Sequence, residues 1–515
     1  MRTLRSWATR SCLRGSLPVG LTHQQAPFVS GSRALSVTIP RKDHERHWST
    51  PLAKQLAEAI SATGPIPLAS YMRMCLTADL GGYYTGAIEK DRDQFGLKGD
   101  FVTSPEISQV FGELIGIWFV AEWLAQGRQK QGVELIEIGP GRGTLMDDML
   151  RTIRHFKDMA QAIDAIYMVE ASPELRMTQK TLLCGEDAPM TESKVGYHSI
   201  CKSTSLPIVW TETIKSIPLG PTKMPLIVAH EFFDALPIHV FQCVDEAPSQ
   251  NARAASTDRS SPSSRTNHST LQWREMLVSP TPPGSTHDSL RTPSSQSRLT
   301  PPPDFQLTLS KAPTRHSLYL PESSPRYRNI LTKVGLGALI EICPDAALYA
   351  SDIAVRIGGS AANPKPRPSG AALILDYGPG DGSVPTNSLR GIRRHQRVSP
   401  FSEPGLTDLS ADVDFAAIAE AALRASDGVE VHGPVEQAAF LEAMGIRERA
   451  SALAKTAAAS GGADGEKKMA DIHKAWKRLV DRGPGGMGKV YKALAILPEN
   501  QGKRRPVGFG GDIDA

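Results

Sequence analysis

The sequence lacks any run of 18 or more apolar residues, and its most hydrophobic stretch, residues 114–121, is bracketed by Glu113 and Glu122. A stretch that short with acidic flanks reads as a buried helix and excludes a helical membrane span. Its six cysteines, among 515 residues, form no C-x-x-C pair, so neither a zinc site nor a disulfide framework is indicated and no metal is expected. Acidic residues are missing altogether from positions 1–42, which hold Arg2, Arg5, Arg10, Arg14, Arg33, Arg41 and Lys42, many serines and threonines, and no apolar core of signal-peptide length. This is the composition of a mitochondrial transit peptide, with Ser32-Arg-Ala-Leu-Ser36 as a processing site. Its seven positive charges account for the whole basic excess: without them the formal charge falls from +4 to −3. Nothing then argues for nucleic-acid binding. A soluble protein of a reducing compartment, the mitochondrial matrix, is expected.

Apolar residues are also scarce between 245 and 303. Of the 25 residues from 279 to 303, 17 are Ser, Thr or Pro, too little hydrophobic surface to offset the entropy of ordering. Residues 245–270 and 279–303 therefore read as disordered insertions. The segments 271–278 and 305–309 read as strands, so the plan is a β-meander whose two turns have been replaced by long loops, which cost little at a surface.

What is present is concentrated at Glu137-Ile-Gly-Pro-Gly-Arg-Gly143. An apolar strand at 133–136 ends in an acid, turns over three alternating glycines, and opens an amphipathic helix with Leu145, Met149, Leu150, Ile153 and Phe156 at helical spacing. Glycines at these points let the backbone approach a bound molecule where side chains would intrude. The G-x-G-x-G spacing differs from the G-x-G-x-x-G that cradles a dinucleotide pyrophosphate and resembles that of S-adenosylmethionine-dependent methyltransferases. The next strand, 165–169, ends in Glu170, placed to accept both ribose hydroxyls of an adenosyl group; a solvated loop residue before a Ser-Pro helix start is the structural alternative. Further apolar strands at 207–210, 226–230 and 371–377 alternate with helices, the pattern of a doubly wound parallel α/β sheet covered on both faces. Helices are expected at 52–60 and 68–79, and a long one after Thr103 or Ser104 as cap, with Pro105 in its first turn and Glu106 complementing its dipole. The domain plan is a leader (1–42), an N-terminal helical segment (50–130), a main domain (131–500) holding a helical stretch at 405–480, a closing strand at 489–497, and a tail (501–515).

Several long blocks support a more specific resemblance: Gly99-Asp-Phe-Val-Thr-Ser-Pro-Glu-Ile-Ser-Gln-Val-Phe-Gly-Glu-Leu114, the glycine turn, Ala229-His-Glu-Phe-Phe-Asp-Ala-Leu-Pro237, Trp273-Arg-Glu275, Glu341-Ile-Cys-Pro-Asp345, Asp376-Tyr-Gly378, Leu389-Arg-Gly391 and Gly405-Leu-Thr-Asp-Leu-Ser-Ala-Asp-Val-Asp-Phe415. In collinear order over roughly residues 50–500, the chain resembles the MidA-type mitochondrial protein arginine methyltransferases that act as complex I assembly factors. The resemblance implies a seven-stranded sheet of the methyltransferase type, S-adenosyl-L-methionine as cofactor, and symmetric dimethylation of an arginine on a core complex I subunit. The chain departs from the family pattern after Gly378 and at 392–402, both on the acceptor side.

On this reading Glu137, Gly139, Pro140, Gly141, Gly143 and Glu170 hold the cofactor, and Ala229, Ser104 and Glu106 complete that side. A guanidinium stays protonated and presents a planar fork of donors, so a bidentate carboxylate is the natural clamp. Glu231 is the expected clamp and proton acceptor, with Asp234 on its face and His230 beside it. Helix capping is the structural alternative for Asp234, a satisfied buried histidine for His230, and dipole complementarity for Glu106. Asp376 ends a buried strand nearby, and Asp408, Asp412 and Asp414 form an acidic loop whose default is solvation. Gly483-Pro-Gly-Gly-Met-Gly-Lys-Val-Tyr-Lys492 mimics nucleotide loops, but no Ser or Thr follows Lys489, and the 23 residues after it cannot hold a kinase. Two competing functions remain: an assembly chaperone that keeps the cofactor fold without catalysis, and a small-molecule methyltransferase.

Overall fold

The computed structural model describes residues 46–79, 81–85, 99–100, 102–245, 271–290, 301–459 and 462–510. The expected leader, residues 246–270 and 291–300 of the two insertions, and the end of the tail lie outside them. Nine strands make the central sheet, in the order Val429–Glu436, Tyr491–Pro498, Ala371–Tyr377, Met224–His230, Val133–Ile138, Ile163–Val169, Pro207–Thr211, Tyr197–Ile200 and Thr191–Glu192. The five from Ala371–Tyr377 to Pro207–Thr211 run parallel, and Tyr491–Pro498 runs antiparallel to both its neighbours. The expected seven-stranded sheet is the first seven of these. The extra two form an antiparallel edge hairpin, whose Thr191–Glu192 strand is wholly exposed and so carried no apolar alternation to read.

The parallel strands are apolar throughout because both faces are covered. The helices Gln109–Ala125 and Thr144–Ile153 pack on one face through Trp118, Phe119, Met149 and Ile153; Pro344–Gly358 and Phe415–Ala425 pack on the other through Ile353, Ile357 and Ile418. Phe156 does not extend the stripe of the Thr144–Ile153 helix: it lies beyond the helix end and is exposed. The long helix does not start at Thr103. A four-residue turn, Ser104–Ile107, comes first, and Ser108, in an extended conformation, caps Gln109–Ala125 by accepting from the Val110 amide.

A second, antiparallel sheet joins Ile66–Pro67, Phe305–Leu309, Leu271–Pro280, His239–Asp245 and Leu339–Ile342. It shares a core with the helices Pro51–Thr63 and Leu68–Thr77. Part of the second predicted loop is built into it: Thr281 is buried and donates to the Pro303 carbonyl at 2.7 Å. The 405–480 stretch is not all helix, since Val429–Glu436 is an edge strand. Its Gly433-Pro434 pair, which reads as a breaker, is absorbed in an irregularity between His432 and Val435. Residues 390–410 add a small sheet of Arg390–Arg393, Gln396–Val398 and Asp408–Ser410. Gly483–Lys492 follows the helix Gly462–Val480 and runs into the first two residues of the last strand, with a helix and not a strand before it, so it makes no nucleotide loop.

Residues 501–510 belong to the fold. Arg504 grips the buried Glu122 carboxylate with two nitrogens, at 2.8 and 2.6 Å, and Trp118 donates to the Val507 carbonyl at 3.1 Å. Arg504→Ala leaves that carboxylate unpaired and is expected to cost about 1–3 kcal/mol of stability. Replacing both partners by apolar residues (E122L/R504M) is expected to restore most of it. Urea unfolding of the single and double variants checks both.

Candidate functional site

The carboxyl ends of the parallel strands open into a cleft of about 300 Å³. Its floor is the glycine turn. Gly139, Gly141 and Gly143 all have positive φ, at 69°, 52° and 85°, a region that glycine enters without steric cost. A side chain at 139 would also place its Cβ 2.7 Å from Phe232. Glu106, in the short turn before the long helix, accepts from the Thr144 hydroxyl at 2.7 Å and stands 3.4 Å from Arg142. It lines the cleft as a strut to the glycine turn rather than as a dipole complement. Ser104 is fully buried with an unpartnered hydroxyl and does not line the cleft.

On the cofactor side, Glu137 is buried with Oε2 unpartnered; burial and the neighbouring Glu170 push its pKa well up. Glu170 accepts from the Ser172 amide at 2.8 Å and from Gln179 at 3.2 Å, and burial raises it to about 7. Gln179 went unread. From the helix Pro173–Leu183 it donates to the Gly141 carbonyl at 2.7 Å and accepts from Trp210 at 2.9 Å, tying the glycine turn to Glu170. Its signal was a polar residue on the buried stripe Leu175, Gln179, Leu183. Ala229 is a correction: it packs in the core with Ile138 and Phe233 and presents no side chain to the cleft. Gly143 also stands back from the cleft, its left-handed φ starting the Thr144–Ile153 helix.

The acceptor side is built on one unusual residue. Glu231 follows the strand Met224–His230 with a positive φ of 49°, a conformation side chains adopt only where surroundings enforce it. Its amide donates to Leu375 O at 2.9 Å. The next strand supplies the other restraint: Asp376, fully buried, accepts from the amides of Phe233 at 2.9 Å and Asp234 at 3.3 Å. Asp376 is thus an anchor for the turn, and the turn aims its acids. Glu231 Oε1 and Asp234 Oδ1 are both buried and unpartnered. Asp234 Oδ2 accepts from the Tyr377 hydroxyl, and the Asp234 carboxyl lies outside the cleft lining that includes Glu231.

Burial pushes the Glu231 carboxyl well up, and Asp234 adds to this, while hydrogen bonding from the Ser104 backbone and Tyr491 hydroxyl pulls it back. Asp234 is raised by burial too. His230 Nε2 sits 3.4 Å from Glu231 Oε1, and burial lowers its pKa to about 3. The ring is therefore neutral at physiological pH and packs edge-on against Phe111. Tyr377 and Tyr491, in register on adjacent strands, were not read as site residues; nothing in the local sequence marks them. The acidic loop is not a solvated run: Asp408 accepts from Tyr84 at 3.0 Å, Asp412 pairs with Arg390, and Asp414 caps the helix Phe415–Ala425 and pairs with Arg326.

A sulfonium-bearing nucleoside fits these surroundings. The cleft is lined by six acids and two arginines, Arg73 paired with Asp345 and Arg142 beside Glu106, which leaves Glu137, Glu170, Glu212 and Glu231 in acidic excess; it has an unpartnered buried carboxylate oxygen at Glu137, and its floor is bare backbone.

Comparison with known proteins agrees. The profile of a family of S-adenosyl-L-methionine-dependent methyltransferases matches residues 114–435. The zebrafish (Danio rerio) protein arginine methyltransferase NDUFAF7, mitochondrial, is 35% identical over 404 residues, 78% of each chain. The human counterpart is 34% identical over 456 residues, covering 88% of this chain and 84% of the relative; the rat protein is 33% identical over 462 residues, 89% and 86%. A Burkholderia thailandensis protein crystallised with S-adenosyl-homocysteine shares the fold at a TM-score of 0.60 and 22% identity, covering 90% of this chain and 93% of that one. With that profile match and those identities across most of its length, the chain belongs to the S-adenosyl-L-methionine-dependent methyltransferase family of the mitochondrial NDUFAF7 protein arginine methyltransferases.

Proposed function

We propose that the protein methylates an arginine guanidinium of a protein in the mitochondrial matrix, that its client is a core subunit of complex I, and that the product is symmetric dimethylarginine made in support of complex I assembly. The single observation that carries the arginine reading is the buried, unpartnered Oε1 of Glu231 at the wall of the cleft, held in place by a strained turn. A buried carboxylate oxygen without a partner is destabilising, and a planar cation is the partner it lacks. The family resemblance supports the client and the symmetry of the product, and the acid-free, arginine-rich leader supports the matrix.

Glu137, Glu170 and the glycine turn would hold S-adenosylmethionine, which supplies an electrophilic methyl group. Glu231 orients the guanidinium through charge-assisted hydrogen bonds, and placement near attack distance provides much of the acceleration. As the guanidinium nitrogen gains its methyl group it gives up a proton, and the Glu231 carboxylate accepts it. Asp234, held by Tyr377 behind the cleft wall, helps raise the Glu231 pKa, and neutral His230 walls the site without competing for the cation. An idle chaperone has no need of a left-handed glutamate with a free oxygen.

Three outcomes follow. With labelled S-adenosylmethionine and mitochondrial extract from a strain lacking the protein, one labelled acceptor band is expected; Glu231→Gln is expected to lower that labelling by about 10²–10⁴-fold, the usual share of a positioned acid–base group, with cofactor affinity retained. Normal complex I assembly with the E231Q protein would instead favour the chaperone. Because Glu231 titrates above the ordinary carboxylate range and must be ionised to hold a cation, kcat/KM is expected to rise with pH through that raised value; the E231Q profile is expected to lack this limb. Gly139→Ala forces a Cβ against Phe232 at an unfavourable φ. At about 1–3 kcal/mol of strain, it is expected to weaken S-adenosylmethionine binding about tenfold or more by calorimetry.

A further inference from the structure

Three side chains far apart in sequence converge outside the cleft. His239 begins the strand His239–Asp245, Glu275 lies in Leu271–Pro280, and His316 lies in the helix Arg315–Tyr319. His239 Nδ1 is 2.8 Å from Glu275 Oε1, and His316 Nδ1 is 3.2 Å from the same oxygen. The two rings stand 4.2 Å apart, tilted by 48°. One ligand atom from each residue falls within 4.8 Å of the others. Separations of 36 and 41 residues explain why no spacing motif announced the cluster.

We propose that His239, Glu275 and His316 form a binding site for a divalent transition metal of the zinc type, with water in the remaining position. Two imidazole nitrogens facing one carboxylate are the donor set of several zinc centres, and among the described residues the cluster includes no sulfur and no second carboxylate, which disfavours copper(I), calcium and magnesium. Ligand atoms bonded to tetrahedral zinc at about 2.0–2.1 Å lie roughly 3.3 Å apart, so admitting the ion asks the His239–Glu275 pair to open by about half an ångström while His316 already stands near that spacing from the carboxylate. His316 is the residue free to give: its side chain is 45% exposed, against 9% for His239 and 1% for Glu275. That exposed side also leaves the open position to water.

The surroundings already orient the ligands. The Thr314 hydroxyl donates to Glu275 Oε2, the outer-shell hydrogen bond that ligating carboxylates typically carry. Thr314 is itself fixed by a reciprocal capping box with Ser317 at the start of the His316 helix. Arg274, adjacent in the strand, donates to the carbonyls of Ser310 and Lys311. The carboxylate and the segment carrying His316 are thus held with the ion absent. Bound metal would clip the Arg315–Tyr319 helix to the second sheet.

The full chain, stripped with a chelator, is titrated with Zn²⁺ by calorimetry and with Co²⁺ by visible absorption. One equivalent per chain with Kd below about 1 μM is expected, together with cobalt bands of low-coordinate intensity and a raised thermal midpoint. His316→Ala, at a position exposed enough to leave the metal-free midpoint unchanged, is expected to abolish all three signals; His239→Asn is expected to abolish the binding signals. Thr314→Val is expected to weaken binding about 10–100-fold, and the exposed His155→Ala to change nothing. Weaker binding by the wild type, or affinity unchanged in His316→Ala and His239→Asn, would overturn the proposal and leave a hydrogen-bonded triad only.

Discussion

Asp376 is the residue on which the acceptor side depends. Wholly buried, it accepts from three backbone amides: those of Phe233 and Asp234 in the neighbouring turn and that of Tyr377 in its own strand. Burial and the nearby Asp234 raise its pKa, so its environment tolerates the acid chiefly because those amides are fixed. With Phe233 and Asp234 tied to Asp376 and the Glu231 amide tied to Leu375 O, the chain turns between these anchors, and Glu231 takes the left-handed conformation. The Asp234 carbonyl in turn receives the Ala411 amide, and the Tyr377 carbonyl receives that of Val413. The 405–415 block is therefore hung on the same two strand ends, and through Asp408 it reaches Tyr84 over the cleft.

The electrostatics of the site follow from that geometry. Glu231, Asp234, Asp376 and Asp408 are all buried and all shifted upward, Asp408 to about 7. Tyr84, Tyr377 and Tyr491 surround them with hydroxyl donors whose own pKa values are pushed well up, burial first and the acids second. Arg390, stacked 4.5 Å over the Tyr377 ring and paired with Asp412, brings positive charge to these acids. Buried acids grouped in this way favour neutral carboxyls until a cation arrives, at which point ionisation and binding reinforce each other.

Much of this was legible in the sequence where backbone constraint leaves a compositional mark. Three alternating glycines after an apolar strand announced the positive-φ turn, and period-free apolar runs announced a parallel sheet buried on both faces. The acids Glu137, Glu170 and Glu231 could be placed because each stands at the carboxyl end of such a strand or one step from it. What escaped was set by tertiary contact alone. Gln179 shows in the sequence only as a polar break in a buried stripe, and its partners Trp210 and Gly141 come from tertiary contact; Ser108 caps the helix that follows the Ser-Pro turn, and Ala229 faces a core that its motif gave no hint of. The edge hairpin at 191–200 was invisible because exposed strands need no pattern, and Val429–Glu436 because a Gly-Pro pair inside an edge strand looks the same as one that ends it.

The strand Tyr491–Pro498 lies between Ala371–Tyr377 and Val429–Glu436 although it follows both in the chain. It also carries the tyrosine whose hydroxyl reaches Glu231. Among the described strands Val429–Glu436 pairs with this one alone, so a chain made amino end first can assemble the parallel strands and their glycine turn while that edge strand still waits for its neighbour. The latest strand in chain order thus fastens one margin of the sheet and brings Tyr491 to the Glu231 carboxyl in the same step.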